Sequence, residues 1–282
     1  MADRRPTRAF APEEAPPFPG GAGCGIQNGT PGNKPSEKKE LPMAYPFDPQ
    51  ADLHVHTLAS GHAYSTIGEI ALEAARCGLR LVAMTDHGPA LPGAPHPYHF
   101  AALRFVPEEL HGVRILRGVE ANIVGPGVID LEDDLCDRLD LVMAGFHEDT
   151  GFDGRGEEEN TAALLALMER GRVRVISHPG SPLFPLDYSA VVRCAVRTGT
   201  ALEINNSSFC VSRKGSRDNC REIARLAARH GAPLVLGSDA HIAQGVGVFD
   251  DALALCLQSG VAWEQIMNRT LESTLAFLGL RS

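Results

Sequence analysis

From residue 51 onward, short apolar runs rich in β-forming residues alternate with longer amphipathic stretches. The runs at 51–56, 80–85, 114–119, 140–146, 173–177, 200–205 and 234–238 predict strands. Strands that are nearly continuous in apolar residues belong to a sheet buried on both faces. Helices are predicted at 66–77, in part of 98–110, at 157–170, 187–198, 217–230 and 245–259, with terminal helices over 263–278. Repeated strand–helix units imply parallel pairing with the helices as crossovers. Seven units in one domain predict an α/β fold: a distorted (β/α)7 barrel, TIM-like but one unit short of the usual eight. An open doubly wound sheet is the alternative. It would carry a Gly-rich fingerprint after the first strand, and none is present.

Residues 1–48 differ from all that follows. They are dense in Pro16, Pro17, Pro19 and the glycines between 20 and 25, with no hydrophobic period. Such a segment buries too little apolar surface to offset its ordering entropy, so a disordered extension is expected before a single domain over 49–282. With 282 residues, 44% of them hydrophobic, the chain can build one large core. It shows neither a membrane-spanning apolar run nor a secretory h-region. The seven cysteines are scattered and never paired as C-x-x-C, which suits reduced thiols packed on helices in a cytoplasmic protein. A net charge of −9 argues against a nucleic-acid coat and suits a site that takes cations.

The histidines are unevenly placed. Three of the 11 fall in DLHVHTLASGH: His54, His56 and His62. Side chains alternate along a strand, so His54 and His56 are expected to share a face with Asp52, opposite Leu53 and Val55. On this segment alone a metal grip and a merely polar strand edge both fit. The other strand ends add His87 (in Thr85-Asp86-His87), Glu120, His147, His178, the run Glu203-Ile204-Asn205-Asn206, and Asp239 with His241. In a β/α barrel these ends gather at one mouth, where active sites lie. Seven histidines, Glu120 and Asp239 then converge, while His96, His99, His111 and His230 read as surface or packing residues. Imidazole and carboxylate without thiolate suit zinc, and also manganese or iron(II). The set exceeds what one tetrahedral ion uses. Bridging carboxylates would allow two or three divalent ions, an arrangement suited to hydrolysis.

The order HxH…TDH…E…H…HP…SDxH resembles the PHP (polymerase and histidinol phosphatase) superfamily, in particular its YcdX-type phosphatase branch. ASGHAYST (59–66), TDHGP (85–89), ILRGVEANI (115–123), AGFHE (144–148), ISHPG (176–180), LEINNSSF (202–209), SRKGSRDNCR (212–221) and LGSDAH (236–241) carry it over residues 50–280. The resemblance implies a distorted seven-unit barrel with a trinuclear site. One ion would be held by His54, His56, Glu120 and Asp239; a second by His62, His87 and His241; a third by Glu120, His147 and His178. It also implies a phosphatase for small phosphorylated substrates, in which metal-bound hydroxide attacks a phosphoric monoester. A nuclease-type activity and a non-catalytic, metal-stabilised module are the alternatives. Nothing in the chain predicts its oligomeric state, and the resemblance does not reach residues 1–48.

Arg213 and Lys214 follow the sixth strand, just before Gly215 and Ser216. With Ser216 as N-cap of the 217–230 helix, they would form an anion site for the substrate phosphate. An exposed basic turn is the other reading. Asn205 and Asn206 are either hydrogen-bonded to ligands or satisfying a strand end. Ser60, Ser65 and Ser181 have no activating triad, so no serine nucleophile is expected.

Overall fold

The computed structural model describes residues 48–210 and 212–281, so the extension predicted over 1–48 lies, but for Asp48, outside the described residues. The described strands are β1 (Ala51–Val55), β2 (Leu81–Met84), β3 (Glu109–Leu110), β4 (Val113–Gly125), β5 (Val128–Ile129), β6 (Leu141–Gly145), β7 (Val175–Ile176), β8 (Ala201–Asn205) and β9 (Leu234–Gly237). Seven pair in parallel in the order β1-β2-β4-β6-β7-β8-β9, one for each predicted run. The third runs well past its predicted end, because β4 continues to Gly125 and folds back on β5. The two-residue strands β3 and β5, antiparallel to β4, are too short to leave a periodic signal in sequence.

The sheet curls until its first and last strands meet. Asp239 N–H donates to the His54 carbonyl and His56 N–H to that of Ala240, both at 2.9 Å. At the start of β1 a side chain completes the seam. Asn268 donates from Nδ2 to Ala51 O and Leu236 O at 2.8 Å, and its Oδ1 accepts from Leu236 N–H at 3.0 Å. The result is a nearly closed parallel barrel.

The helices are α1 (Ile67–Arg76), α2 (Tyr98–Ala102), α3 (Asp133–Cys136), α4 (Glu157–Glu169), α5 (Tyr188–Thr198), α6 (Ser216–His230), α7 (Asp250–Gln258) and α8 (Leu271–Leu278). Thr66 starts α1 with a capping box, its hydroxyl accepting from Glu69 N–H while Glu69 accepts from Thr66 N–H. The predicted 98–110 helix is cut short: α2 passes into a 3-10 turn at Leu103–Phe105, and Pro107 follows. Leu275 of α8 plugs the barrel floor, packing with Ala51, Leu53, Leu81, Leu116 and Met143. Val82, Ile115, Val142, Leu202 and Leu236 point outward to a larger core under the helices. Cys194, Cys220 and Cys256 are buried on α5, α6 and α7, as free thiols. No helix among the described residues is long and apolar enough to cross a membrane.

One expected alternation fails. Leu53 belongs to the barrel interior and Val55 to the outer core, although two residues apart they should share a face. The register explains it: β1 advances from Asp52 to Val55 while β2 advances only from Val82 to Met84. An extra residue in one strand resets which way side chains point. Asp52 therefore does not join His54 and His56. It accepts instead from the backbone N–H groups of His54, Ser238 and Gly247, tying β1 to the chain after β9.

Candidate metal centre

Interior positions at the C-terminal ends of the strands change from apolar to polar. On β4 the inward face carries Leu116 and then Glu120; on β8 it carries Ala201 and then Glu203 and Asn205. Glu120 is fully buried at the centre of the ring. Its Oε2 lies 3.2 Å from His54 Nε2, 3.5 Å from His56 Nε2 and 3.0 Å from His87 Nδ1. Its Oε1 lies 2.7 Å from His178 Nε2 and 3.3 Å from His147 Nε2. Asp239 Oδ1 is 3.2 Å from His56 Nε2 and 3.5 Å from His54 Nε2. Three overlapping trios bring ligand atoms within 4.8 Å of one another: His54, His56 and Glu120; His56, His87 and His241; and His87, Glu120 and His147.

His62 is exposed and belongs to none of these trios, but its ring centroid lies 5.0 Å from that of His87 and 4.9 Å from that of His241. Gly61 turns it there. Its φ of +79° disfavours a side chain, and a Cβ would come within 2.3 Å of Gly93 O.

The far nitrogens are anchored, which decides what the near ones present. His54 Nδ1 donates to Glu203 Oε1 at 2.7 Å. His56 Nδ1 meets Ser60 Oγ at 3.1 Å; that hydroxyl gives its proton to Asp86 Oδ1 at 2.7 Å, so it accepts from His56. His241 Nδ1 donates to the Asp239 carbonyl at 3.0 Å. With each Nδ1 proton committed outward, Nε2 is left to face the cluster as a ligand atom. Glu203 serves twice, since its Oε2 also accepts from His178 N–H at 2.7 Å. A side chain at Gly237 would collide with it, a Cβ there falling 1.9 Å from Glu203 Oε1.

Four buried carboxylates, Asp86, Glu120, Glu203 and Asp239, surround this mouth. Arg213 Nη1 reaches Asp239 Oδ2 at 2.9 Å. Buried charge of one sign has to be met by the other. Burial alone would depress the His54 imidazolium, but Glu120, then Glu203 and Asp239, outweigh it and hold its pKa well above the ordinary value. Burial, with the charge of His87 next, takes His56 the other way, down to about 3. The carboxyls of Glu120 and Asp239 sit well below their usual range: burial opposes this, but the neighbouring histidines, and for Asp239 also Arg213, prevail. Glu120 Oε2, Asp239 Oδ1 and His87 Nδ1 are buried without a hydrogen-bond partner. Donor type, convergent lone pairs and excess negative charge all fit divalent cations.

Backbone strain gathers here too. Of the non-glycine residues with positive φ among those described, Asp149 (62°), His178 (31°), Arg213 (48°) and Asp239 (55°) border the mouth and only His111 lies elsewhere. Each such residue costs of order 1–2 kcal/mol. At His178 the strain has a visible use. Val175 faces the interior and Ile176 the outer core, so alternation would turn His178 outward, yet its Nε2 touches Glu120.

Sequence reasoning missed Glu203, Asp86 and Ser60 as anchors, although the first two were in view at strand ends. His99, which the sequence reads as a surface or packing residue, has Nε2 3.3 Å from Asp86 Oδ2 and stands behind that anchor. Arg213 lines the cavity, whereas Lys214 is exposed and does not. Ser216 is not the N-cap of α6. Gly215 takes that place in a left-handed conformation, and Ser216 Oγ donates to the Arg213 carbonyl. Asn205 donates to Glu203 and Asp239, both at 3.2 Å, so it does touch the ligand network. Asn206 instead accepts from Ala252 N–H on α7.

The sequence matches the PHP domain model over residues 52–179 and the PHP-associated model over 217–249. A probable phosphatase of Syntrophotalea carbinolica is 61% identical over 233 residues, covering 83% of this chain and 97% of the relative. Another, from Acetivibrio thermocellus, is 48% identical over 222 residues, covering 78% and 91%. Among solved structures, histidinol phosphate phosphatase from Lactococcus lactis, complexed with zinc, L-histidinol and phosphate, superposes with a TM-score of 0.52. That match has 17% identity and covers 76% of this chain and 94% of the other, which is a likeness of fold.

Proposed function

The chain belongs to the PHP domain family and is a phosphatase, and on that premise we propose that it hydrolyses small phosphoric monoesters at a cluster of three divalent ions, zinc foremost. The carrying observation is Glu120, whose two oxygens face separate histidine groups from a fully buried position. In this reading His54, His56, Glu120 and Asp239 hold one ion, His62, His87 and His241 a second, and His147, His178 and Glu120 a third. Bound divalent ions supply an acidified water and positive charge against the phosphoryl oxygens.

The chain's own residues do the rest. Glu203, Ser60 and the Asp239 carbonyl hold three imidazoles in the tautomer that presents Nε2. Arg213 spends Nη1 on Asp239 and Ser212. Its guanidinium has donors left at the cavity wall, and we assign them to a phosphate oxygen. The proposed clamp is thus Arg213 without Lys214. The scattered free thiols suit a reducing, cytoplasmic setting.

The test is elemental analysis of protein purified without added metal, followed by chelation, reloading and assay against phosphate mono- and diesters. Two to three ions per chain and metal-dependent monoester cleavage are expected. One ion or fewer after reloading would refute the cluster, and a preference for diesters would refute the monoesterase.

A further inference from the structure

The ligand cluster forms only the floor of a cavity of about 790 Å³. A phosphoryl group occupies a small part of such a space, and pockets of this size ordinarily bury an organic ligand. The remaining walls therefore describe the leaving group. Leu91 and Pro92, from the loop after β2, and Ile242 and Val248, from the chain after β9, line it with apolar surface. Ile242 is 50% and Val248 41% exposed, so both keep apolar surface open to whatever enters. Glu148 and Asp149, from the loop after β6, border the same cavity. Asp149 is held in a left-handed conformation (φ 62°). Arg213 is the only lysine or arginine among the described lining residues, and its Nη1 is engaged by Asp239.

Resting on the phosphatase reading, we propose that this pocket selects monophosphates with an uncharged, partly apolar body and rejects leaving groups that carry a second phosphate. Among the described lining residues there is no lysine or arginine besides Arg213 to pair with another anion, and Glu148 and Asp149 repel one. Apolar contact discriminates by area instead, roughly fourfold in affinity per buried methylene.

The metal-loaded full chain is to be assayed with ethyl, butyl and hexyl phosphate and with hexane-1,6-diol bisphosphate. The pocket predicts kcat/KM rising along the alkyl series and falling at least tenfold from hexyl phosphate to the bisphosphate, although the latter offers two cleavable groups. Ile242→Ser with Val248→Ser should flatten the series. Glu148→Gln with Asp149→Asn should narrow the gap to the bisphosphate. A flat series or an equally good bisphosphate in the unaltered enzyme overturns the proposal. Calorimetry with ethyl-, butyl- and hexylphosphonate, which cannot be hydrolysed, reads the same wall without turnover. If their affinity rises with chain length while no ester is cleaved, the phosphatase reading fails and the pocket assignment stands. If affinity does not rise, the pocket assignment fails whatever the activity.

Discussion

Glu120 meets five imidazoles with two oxygens, and no other carboxylate in the mouth is so shared. Glu120→Gln keeps the shape and removes the charge, so the hypothesis that it bridges ions predicts near-complete loss of turnover together with loss of metal. Arg213→Ala should separate these effects. A lost charge-assisted contact of about 1.5–3 kcal/mol corresponds to a drop of roughly 10- to 100-fold in kcat/KM, with metal retained. Circular dichroism checks folding and elemental analysis the metal; metal loss in Arg213→Ala would show that its bond to Asp239 matters more than any phosphate contact. Glu203 offers a subtler case. Its carboxylate accepts from His54, His178 and Asn205, three donors at once. A glutamine must turn its amide N–H2 toward one of them. Glu203→Gln should weaken metal binding by roughly 10- to 100-fold in a chelator competition, the usual cost of losing a partner behind a ligand. Unchanged affinity would reduce Glu203 to a packing residue.

At the scale of elements, the site depends on where β1 and β9 join. His54 and His56 stand on one side of that seam and Asp239 and His241 on the other. Asn268, fully buried, stitches it with three hydrogen bonds. Asn268→Ala leaves backbone groups of both strands unsatisfied, so a loss of about 3 kcal/mol is predicted, read from denaturant midpoints. Activity per folded molecule should fall as well, because the two ligand pairs lose their common frame. A variant as stable as the parent would mean that the backbone bonds at Asp239 and Ala240 close the barrel unaided.

For the whole molecule, four buried carboxylates in one mouth tie stability to cations. A ligand at a hundred times its Kd adds about 2.7 kcal/mol, and in a domain of this size that moves the melting midpoint by roughly 5–10 °C. Chelation should lower the midpoint by that order, and calorimetry before and after reloading measures it. The effect has a pH signature. The folded metal-free protein holds a proton on His54 well above the ordinary histidine range. A raised folded pKa contributes stability that is complete below the unfolded value of about 6.5 and is lost as pH rises through the folded one. The metal-free protein should therefore weaken above neutrality. Metal binding, which must expel that proton, should tighten by up to about tenfold per pH unit over the same window. Affinity that stays flat between pH 6.5 and 8.5 would count against His54 as a ligand.

The chain by itself determined the barrel and the ring of ligand-type residues, because both are written in short periods. Seven buried strands repeat an apolar run, and each ends where the polar residues begin, at one mouth of any parallel barrel. Three things were decided only in the fold. The extra residue between Asp52 and Val55, which takes Asp52 out of the histidine face, is a matter of register between two strands. Glu203 reaches His54 across 149 residues and Asp86 reaches Ser60 across 26, separations that no local spacing encodes. The parting of Arg213 from Lys214 comes from a left-handed backbone at Arg213, which sends one side chain to Asp239 while the other stays exposed. Periodicity reports which face of an element is buried. Which partner waits on that face depends on how distant strands are brought side by side, and that is settled by packing.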